Sequence, residues 1–245
     1  MKLVEGMKVP FYRYVIDNKK FVELQGAFLK AGVPNAEIPT DHILMAVSME
    51  LASMYGIKWI VSGGNVASES IMPPSFGYSA RDLVHIKDIY RRMTGKKLKV
   101  LPTCGLLKWN WMKWIRGIKT FYILDFFDYN RDKSEKLLTE KYGYKSTGAK
   151  HEENYFTWWF QNYFLFEKFG FDKRKAHYSS LINSGQMTRK EAFDLLADRP
   201  VYQEFGLEKM IWKYTKRSHD DYRKDEKLWN LLGTFVRALR KLSTK

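Results

Sequence analysis

"IKWIVSGGNVASES", residues 57–70, is the stretch on which the fold turns: an apolar run stops at Ser62-Gly63-Gly64, and an amide and a carboxylate follow. "IKWIV" is short, continuously apolar and rich in β-branched residues, the pattern of a strand buried on both faces. In open α/β sheets, ligands bind beyond the carboxyl ends of strands, where helix N-termini and backbone N–H groups converge. Two glycines after such a strand let the main chain approach a phosphate closely, because no Cβ intervenes. Asn65 then adds an amide, and Glu69 a carboxylate able to hold magnesium. The stretch matches neither GxGxxG nor GxxxxGK[ST], so neither dinucleotide nor Walker-type binding is signalled. An ordinary Gly-rich turn accounts for the same residues equally well.

Working outward, "FYRYVI" (11–16) is β-prone, and "KKFVELQGAFLKAG" (19–32) has helical spacing through Phe21, Leu24, Phe28 and Leu29, closed by Gly32. Thr40 or Asp41 is placed to cap a second helix, "HILMAVSMELASMYG", which ends at Gly56. Helix-to-strand alternation of this kind predicts a parallel, doubly wound sheet. Residues 81–97 read as one helix. In "GLLKWNWMKWIRGIKTFYILDFFDY" (105–129), Trp111, Trp114, Ile115, Ile118 and Tyr122 recur at helical spacing. Helices are further predicted over 131–142, 152–168, 173–182, 188–197, 206–216 and 224–242. A boundary near residue 100 divides an α/β part, 1–100, from a mainly helical part, 101–245.

The 245 residues suffice for a real core, and 45% hydrophobic with 16% aromatic content excludes a disordered chain. The single cysteine, Cys104, excludes an intrachain disulfide framework and fits a reducing, cytoplasmic compartment. "LPTCGLLKW" offers no nucleophile-elbow context for it. The N-terminus lacks a secretory pattern, and no window is long and apolar enough to span a membrane. The formal charge of +15 implies attraction to polyanions. Ten Lys and Arg lie within 85–120 against one acid, Asp88, which supplies +9 of that excess. The basic, Trp-rich stretch 105–119 suits nucleic acid, a membrane interface, or a partly buried helix with snorkelling cations, and spacing alone does not separate them.

Two further constellations stand out. In "GAKHEENYFTWWFQNYFLFEKFGFDKRKAHYSSL" (148–181), His151 and Glu152 offer acid/base groups beside Lys150, while Lys173 and Arg174 offer phosphate clamps and His177 follows one turn on. A solvated helix start and an exposed basic turn would carry the same residues. The stripe Phe156, Trp159, Phe160 and Tyr163 reads as core. In "SLINSGQMTRKEAFDLL" (180–196), Thr188 and Glu191 make a capping box, and the acids of the following helix argue for packing rather than DNA reading.

Taken in order, "PTDH" (39–42), "SGGNVASESIMPPSFGYSARD" (62–82), "GAKHEENYFTWWFQNYFL" (148–165) and "KFGFDKRKAHYSSLINSGQMTRKEAFDLL" (168–196) resemble the N-acetyl sugar amidotransferases, ammonia-using synthetases of bacterial O-antigen and flagellin-sugar biosynthesis. The resemblance covers roughly residues 20–200. It implies an α/β fold with a partial PP-loop, adenine-nucleotide-hydrolase-like parallel sheet. It also implies a reaction in which ATP, with Mg2+, adenylates the carbonyl oxygen of a sugar N-acetyl group, and ammonia then displaces AMP to leave an acetamidino group.

By the same resemblance Ser62, Gly63, Gly64, Asn65 and Glu69 form the nucleotide end of the site, with Glu69 a magnesium ligand. Lys150, His151, Glu152 and His177 serve acid/base chemistry, and Asp41, Lys173 and Arg174 hold the nucleotide-linked sugar. The implied partners are a glutaminase subunit that supplies ammonia and a cyclase-like companion. PP-loop enzymes carry an SGGxDS-type loop after their first strand, and residues 1–56 contain none. A chain that begins inside the nucleotide domain, a separate N-terminal PP-loop polypeptide, or a member that has lost catalysis is therefore expected. A basic nucleic-acid-binding protein and a non-catalytic sugar-nucleotide-binding subunit are the alternatives.

Overall fold

The computed structural model describes residues 2–71, 73–145, 154–211, 215–225, 227–228 and 230–235. In chain order the elements are α1 (Lys2–Met7), α2 (Asn18–Ala31), α3 (Ile38–Met54), β1 (Trp59–Ser62), α4 (Val66–Glu69), α5 (Leu83–Thr94), α6 (Leu106–Trp114) and β2 (Lys119–Tyr122). There follow α7 (Arg131–Tyr142), α8 (Tyr155–Trp159), α9 (Leu165–Phe169), α10 (Lys173–Asn183), α11 (Arg189–Leu196) and α12 (Glu208–Ile211). Phe160–Phe164, between α8 and α9, is a π-helical turn. The described residues are mostly helical, with one small sheet in which β1 and β2 pair in parallel. Parallel pairing needs a crossover, and the 56 residues from Gly63 to Ile118 supply it through α4, α5 and α6.

This corrects the expected sheet in two places. Residues 9–17, which include "FYRYVI", form neither strand nor helix, and Phe11, Tyr12, Tyr14 and Val15 are exposed. β1 is not buried on both faces: Trp59 and Val61 are exposed and Ile60 and Ser62 half-buried, because a single neighbouring strand does not make a two-faced layer. A PP-loop-like fold is therefore not established. Helix α3 starts at Ile38 with Pro39 in its first turn and no side-chain cap, so Asp41 lies within the first turn rather than before it.

The chain divides into two compact units, each assembled from three stretches. The first unit takes Met1–Val15, Val61–Phe76 and Thr120–Lys213; the second takes Ile16–Ile60, Gly77–Lys119 and Tyr214–Lys245.

The second unit is built on α2, α3, α5 and α6. Asp17 caps α2 by accepting from Lys20 N, and Gly32 ends it in the left-handed region. A Cβ at Gly32 would stand 2.1 Å from the Thr215 carbonyl oxygen, so only glycine lets the segment 215–225 lie against this turn. That segment is fastened by Arg217 N donating to Gly32 O and the Tyr222 hydroxyl donating to Ala31 O. Asp82 is fully buried and accepts three hydrogen bonds, from His85 N (2.9 Å), the Tyr78 hydroxyl (3.1 Å) and Asp225 N (2.7 Å). His42, from "PTDH", is also buried: Nδ1 donates to Ala80 O and Nε2 accepts from Cys104 N, which fixes a neutral tautomer. Further along α3, Met49 and Ala52 pack with Met112 and Ile118.

The first unit centres on the aromatic run α8–α9. Trp159, Phe160, Phe164 and Leu165 are buried, as the helical stripe predicts for its first two members, while Phe156 and Tyr163 are half-buried. Phe205 covers Phe156 and Trp159, Tyr202 stacks near Tyr163, and Trp158 Nε1 donates to Val201 O. Helices α10 and α11 follow, the second opened by the predicted capping box of Thr188 and Glu191.

His85 Nε2 and His219 Nδ1 meet at 3.2 Å inside the second unit, between Tyr78 and Tyr222. One ring must donate and the other accept, which two neutral imidazoles do and two imidazolium ions do not. Burial pushes His85 down to about 4 despite Asp82 nearby, and burial, reinforced by His85, pushes His219 down to about 3. Unfolded, both protonate near 6.5. Between those values the unfolded chain holds more protons, so this stability is complete above about pH 6.5 and is lost as the pH falls toward 4 and below. Urea titrations should show the midpoint falling across that window, and His219→Asn should flatten the profile. Replacing Asp82 by Ala strands all three donors and should destabilise the fold by on the order of 3 kcal/mol, read from the same titrations at neutral pH.

Candidate functional site

The loop after β1 is fixed by its own polar groups. Asn65, buried, caps α4: its Oδ1 accepts from Ser68 N at 2.8 Å and from the Ser68 hydroxyl at 3.0 Å. Val66 N donates to Asp125 Oδ1 at 2.7 Å, and Gly64 N to the Ser62 hydroxyl at 3.2 Å. The two glycines differ. A Cβ at Gly64 would meet the Tyr122 ring at 3.2 Å, whereas at Gly63 it would find open space. Close packing therefore explains Gly64, while Gly63 leaves an exposed stretch of main chain. Glu69 ends α4 with its side chain exposed.

Helix α10 holds this loop in place. Ile71 N donates to the Ser180 hydroxyl at 3.0 Å, and the Ser184 hydroxyl donates to Ala67 O at 3.0 Å. Residues 173, 177, 180 and 184 follow the i, i+4, i+7, i+11 spacing of one helix face. The stripe of α10 that meets the loop of residues 66–71 is thus the stripe that carries Lys173 and His177. His177 is half-buried, with Nε2 shielded from solvent. Two blocks more than 90 residues apart, "SGGNVASES" and "FDKRKAHYSS", come together in this way.

Arg174 points elsewhere and is engaged inside the fold. Its Nε and Nη2 grip both oxygens of Asp172, at 3.0 and 2.8 Å, while Nη1 donates to Leu195 O and Nη2 to Asp198 O. The paired carboxylate holds this guanidinium above its ordinary range. It ties the start of α10 to the end of α11, where the carbonyls carry partial negative charge.

A groove of about 430 Å3 lies between α10 and α11. Lys175, Tyr178, Ser179, Arg189 and Phe193 line it, with the Arg189 guanidinium 6.0 Å from the Phe193 ring. Cations and aromatic faces in one groove suit a nucleotide.

Asp41 is exposed in α3 of the second unit. Lys150, His151 and Glu152 lie outside the described residues. Among the described residues no three His, Cys, Asp or Glu side chains converge as a metal site. Glu69 alone would hold magnesium only with phosphate oxygens completing the shell, as this ion commonly accepts. Cys104 is buried and its thiol is pushed up by burial, the opposite of an activated nucleophile. Ser180, Ser184 and the groove cations Lys175 and Arg189 lie within the quoted motif blocks without a role assigned to them by motif, and Asp125 lies outside every such block. The two serines share the 173/177 stripe and a helical projection would have found them; Asp125 has no such signal, because its role depends on β2 delivering it to Val66.

No helix among the described residues is long and apolar enough to cross a membrane. No curated protein and no solved structure matches the chain. Residues 153–236 do match a family model, that of the LPS biosynthesis protein WbpG-like, C-terminal domain. The matched segment contains the aromatic run, α10, α11 and the strap 215–225. Over this third of its length, the chain is similar to a domain of the lipopolysaccharide-biosynthesis family of WbpG.

Proposed function

We propose that this chain works in an ATP-dependent N-acetyl sugar amidotransferase of lipopolysaccharide O-antigen or flagellin-glycan biosynthesis, in the cytoplasm. The observation that carries the reading is the seating of the loop 62–71 on the Lys173–His177 stripe of α10, inside the unit that holds most of the WbpG-like segment. An N-acetyl carbonyl is a poor electrophile with no leaving group. ATP with Mg2+ supplies one by adenylating the carbonyl oxygen with release of pyrophosphate, and ammonia then takes the place of AMP.

In this reading the exposed main chain at Gly63, with Ser62, Gly64 and Asn65 behind it, approaches the nucleotide. Glu69 faces its magnesium. Lys173 places a cation beside the departing phosphates, and His177 accepts a proton as ammonia attacks. Lys150, His151 and Glu152 precede α8 in sequence and belong to the same chemistry. Arg174 serves by holding α10 rather than by touching substrate. The nucleotide-linked sugar enters the α10–α11 groove, with Lys175 and Arg189 on its diphosphate and Tyr178 and Phe193 beside its base. Ammonia comes from a glutaminase partner through a cyclase-like companion, since Cys104 of this chain is buried and unactivated.

Ammonium salts should replace the glutaminase in vitro. The chain, with an N-terminal PP-loop polypeptide where needed, is incubated with ATP·Mg, a UDP-N-acetyl sugar and ammonium, and AMP and the amidine are followed by mass spectrometry. Lys173→Ala and His177→Ala should each lower kcat by about 100-fold. Unchanged turnover in both would remove these assignments, and no amidine under any condition would remove the function.

Calorimetry gives a second measurement. Arg189→Ala and Lys175→Ala should each weaken UDP-sugar binding by about tenfold without lowering Tm. Gly63→Ala should keep the fold and weaken ATP binding, whereas Gly64→Ala should lower stability through Tyr122.

A further inference from the structure

Helix α6 is apolar on two opposite faces. One carries Met112, buried, and Trp109, half-buried, and packs on Met49 and Ala52 of α3 with Ile118 beside them. The other carries Leu107, Trp111, Trp114 and, just past the helix end, Ile115, at i, i+4, i+7 and i+8. All four are in water: Leu107 is 85% and Ile115 73% exposed, Trp111 48% and Trp114 44%. A rigid helix held by one apolar face thus displays a second, composed of two indoles and two large aliphatic groups. Apolar side chains clustered in this way mark an interaction surface.

The charge around this face selects its partner. Residues 89–124 contain nine Lys and Arg and no Asp or Glu. Four of the cations, Lys108, Lys113, Arg116 and Lys119, lie within or just beyond α6, and all four are exposed. Lys108 pairs with the exposed Glu50 of α3 across 3.6 Å. Lys119 Nζ stands 5.1 Å over the exposed Trp59 ring, and Arg116 5.6 Å over Trp111, so cations and indoles occupy one surface of the second unit. Indoles at the level of lipid headgroups, aliphatic side chains inserted beneath them and lysines around the edge are the composition of an interfacial helix on an anionic bilayer.

A nucleic acid fits less well. Its phosphates would use the cations, but Leu107 and Ile115 would find no acyl chains to bury in. The Arg116 guanidinium is already turned toward Ser53, whose carbonyl it meets at 2.8 Å near the end of α3.

We propose that the outer face of α6, with its collar of cations, is a docking surface for an anionic phospholipid bilayer, on which the protein lies without spanning it. The expected occupant is a phosphatidylglycerol-type headgroup layer, with the Leu107, Trp111, Trp114 and Ile115 side chains inserted among the upper acyl carbons.

Co-sedimentation of the full chain with vesicles tests this. Vesicles of phosphatidylcholine containing a third phosphatidylglycerol should retain the protein, and pure phosphatidylcholine vesicles should not. Leu107→Glu with Ile115→Glu, both at exposed positions, should weaken retention by about tenfold or more while Tm and sugar-nucleotide binding stay unchanged. Lys108→Gln with Lys113→Gln should weaken it several-fold and reduce its sensitivity to salt. Three outcomes would overturn the proposal: no retention on anionic vesicles at low salt, retention equal in the Leu107/Ile115 variant, or a dimer in solution that the same variant dissociates. Tight binding of an RNA homopolymer that the Leu107/Ile115 variant abolishes, without vesicle retention, would assign the face to nucleic acid instead. Because sugar-nucleotide binding is measured in the same samples, failure of the membrane proposal is separable from failure of the amidotransferase reading.

Discussion

One buried carboxylate organises the second unit. Asp82 ends the loop that leaves Tyr78, caps α5 through His85 N and receives Asp225 N from the strap, so the loop, the helix start and a segment far along the chain share two oxygens. An unpaired carboxylate in this position would be costly, and hydrogen bonds to every segment it separates are what make its burial tolerable. The same residue places His85 in register with His219, which is why the strap brings an imidazole to meet an imidazole. Asp88, one turn along α5, repeats the device by accepting from Arg92 and from Arg223 N. The family-matched segment therefore contributes more than the first unit's helices: its strap is part of the second unit's core.

In the first unit the organising element is α10, which divides its surface among three tasks. One stripe, 173/177/180/184, carries the loop after β1. A second, with Lys175, Tyr178 and Ser179, faces the groove with α11. The third task falls to Arg174, which locks the helix start to the end of α11 through Asp172. A guanidinium with its donors spread over a carboxylate and two carbonyls is a structural bolt. Charge in a motif is thus a poor guide to role: of the run Lys173-Arg174-Lys175, the member with the richest hydrogen-bonding capacity is the one the fold keeps for itself.

Local signals were legible where a cap and a stop both stand in the sequence. Asn130 and Gly143 bound α7 at the expected residues, Asp172 opens α10, and Thr188 with Glu191 opens α11. Reading was less secure wherever the signal was composition without a partner. "FYRYVI" is β-prone, yet a strand forms only against another strand, and none pairs with it among the described residues. "IKWIV" did become a strand, but its apolar run overstated burial, since an apolar side chain on a two-stranded ribbon has little to cover it. The two compact units interleave along the chain, with residues 61–76 joining the first and 214–245 the second, a long-range exchange that periodicity does not register. For the candidate site, the motif blocks contain both the loop and α10, and a helical projection places Ser180 and Ser184 on the 173/177 stripe, while the contact of Asp125 with Val66 N is visible only in three dimensions.

The distribution of charge separates two roles that composition alone would merge. A net charge of +15 invites the reading that the whole protein is built for a polyanion, and an enzyme of nucleotide-linked sugars does need cations. The acid-free run of residues 89–124, however, falls mainly in the second unit, whereas the loop after β1, α10 and the groove belong to the first. In the first unit the cations of α11 stand among acids in the sequence, Arg189 and Lys190 beside Glu191 and Asp194, so this helix carries no concentrated positive charge. Concentrated charge beside exposed indoles serves a different end, since a surface with many equivalent anions rewards the number of cations near it rather than their exact placement. On this ground the basic segment is better understood as an address for an extended anionic surface than as part of the loop and groove proposed to hold a nucleotide-linked sugar.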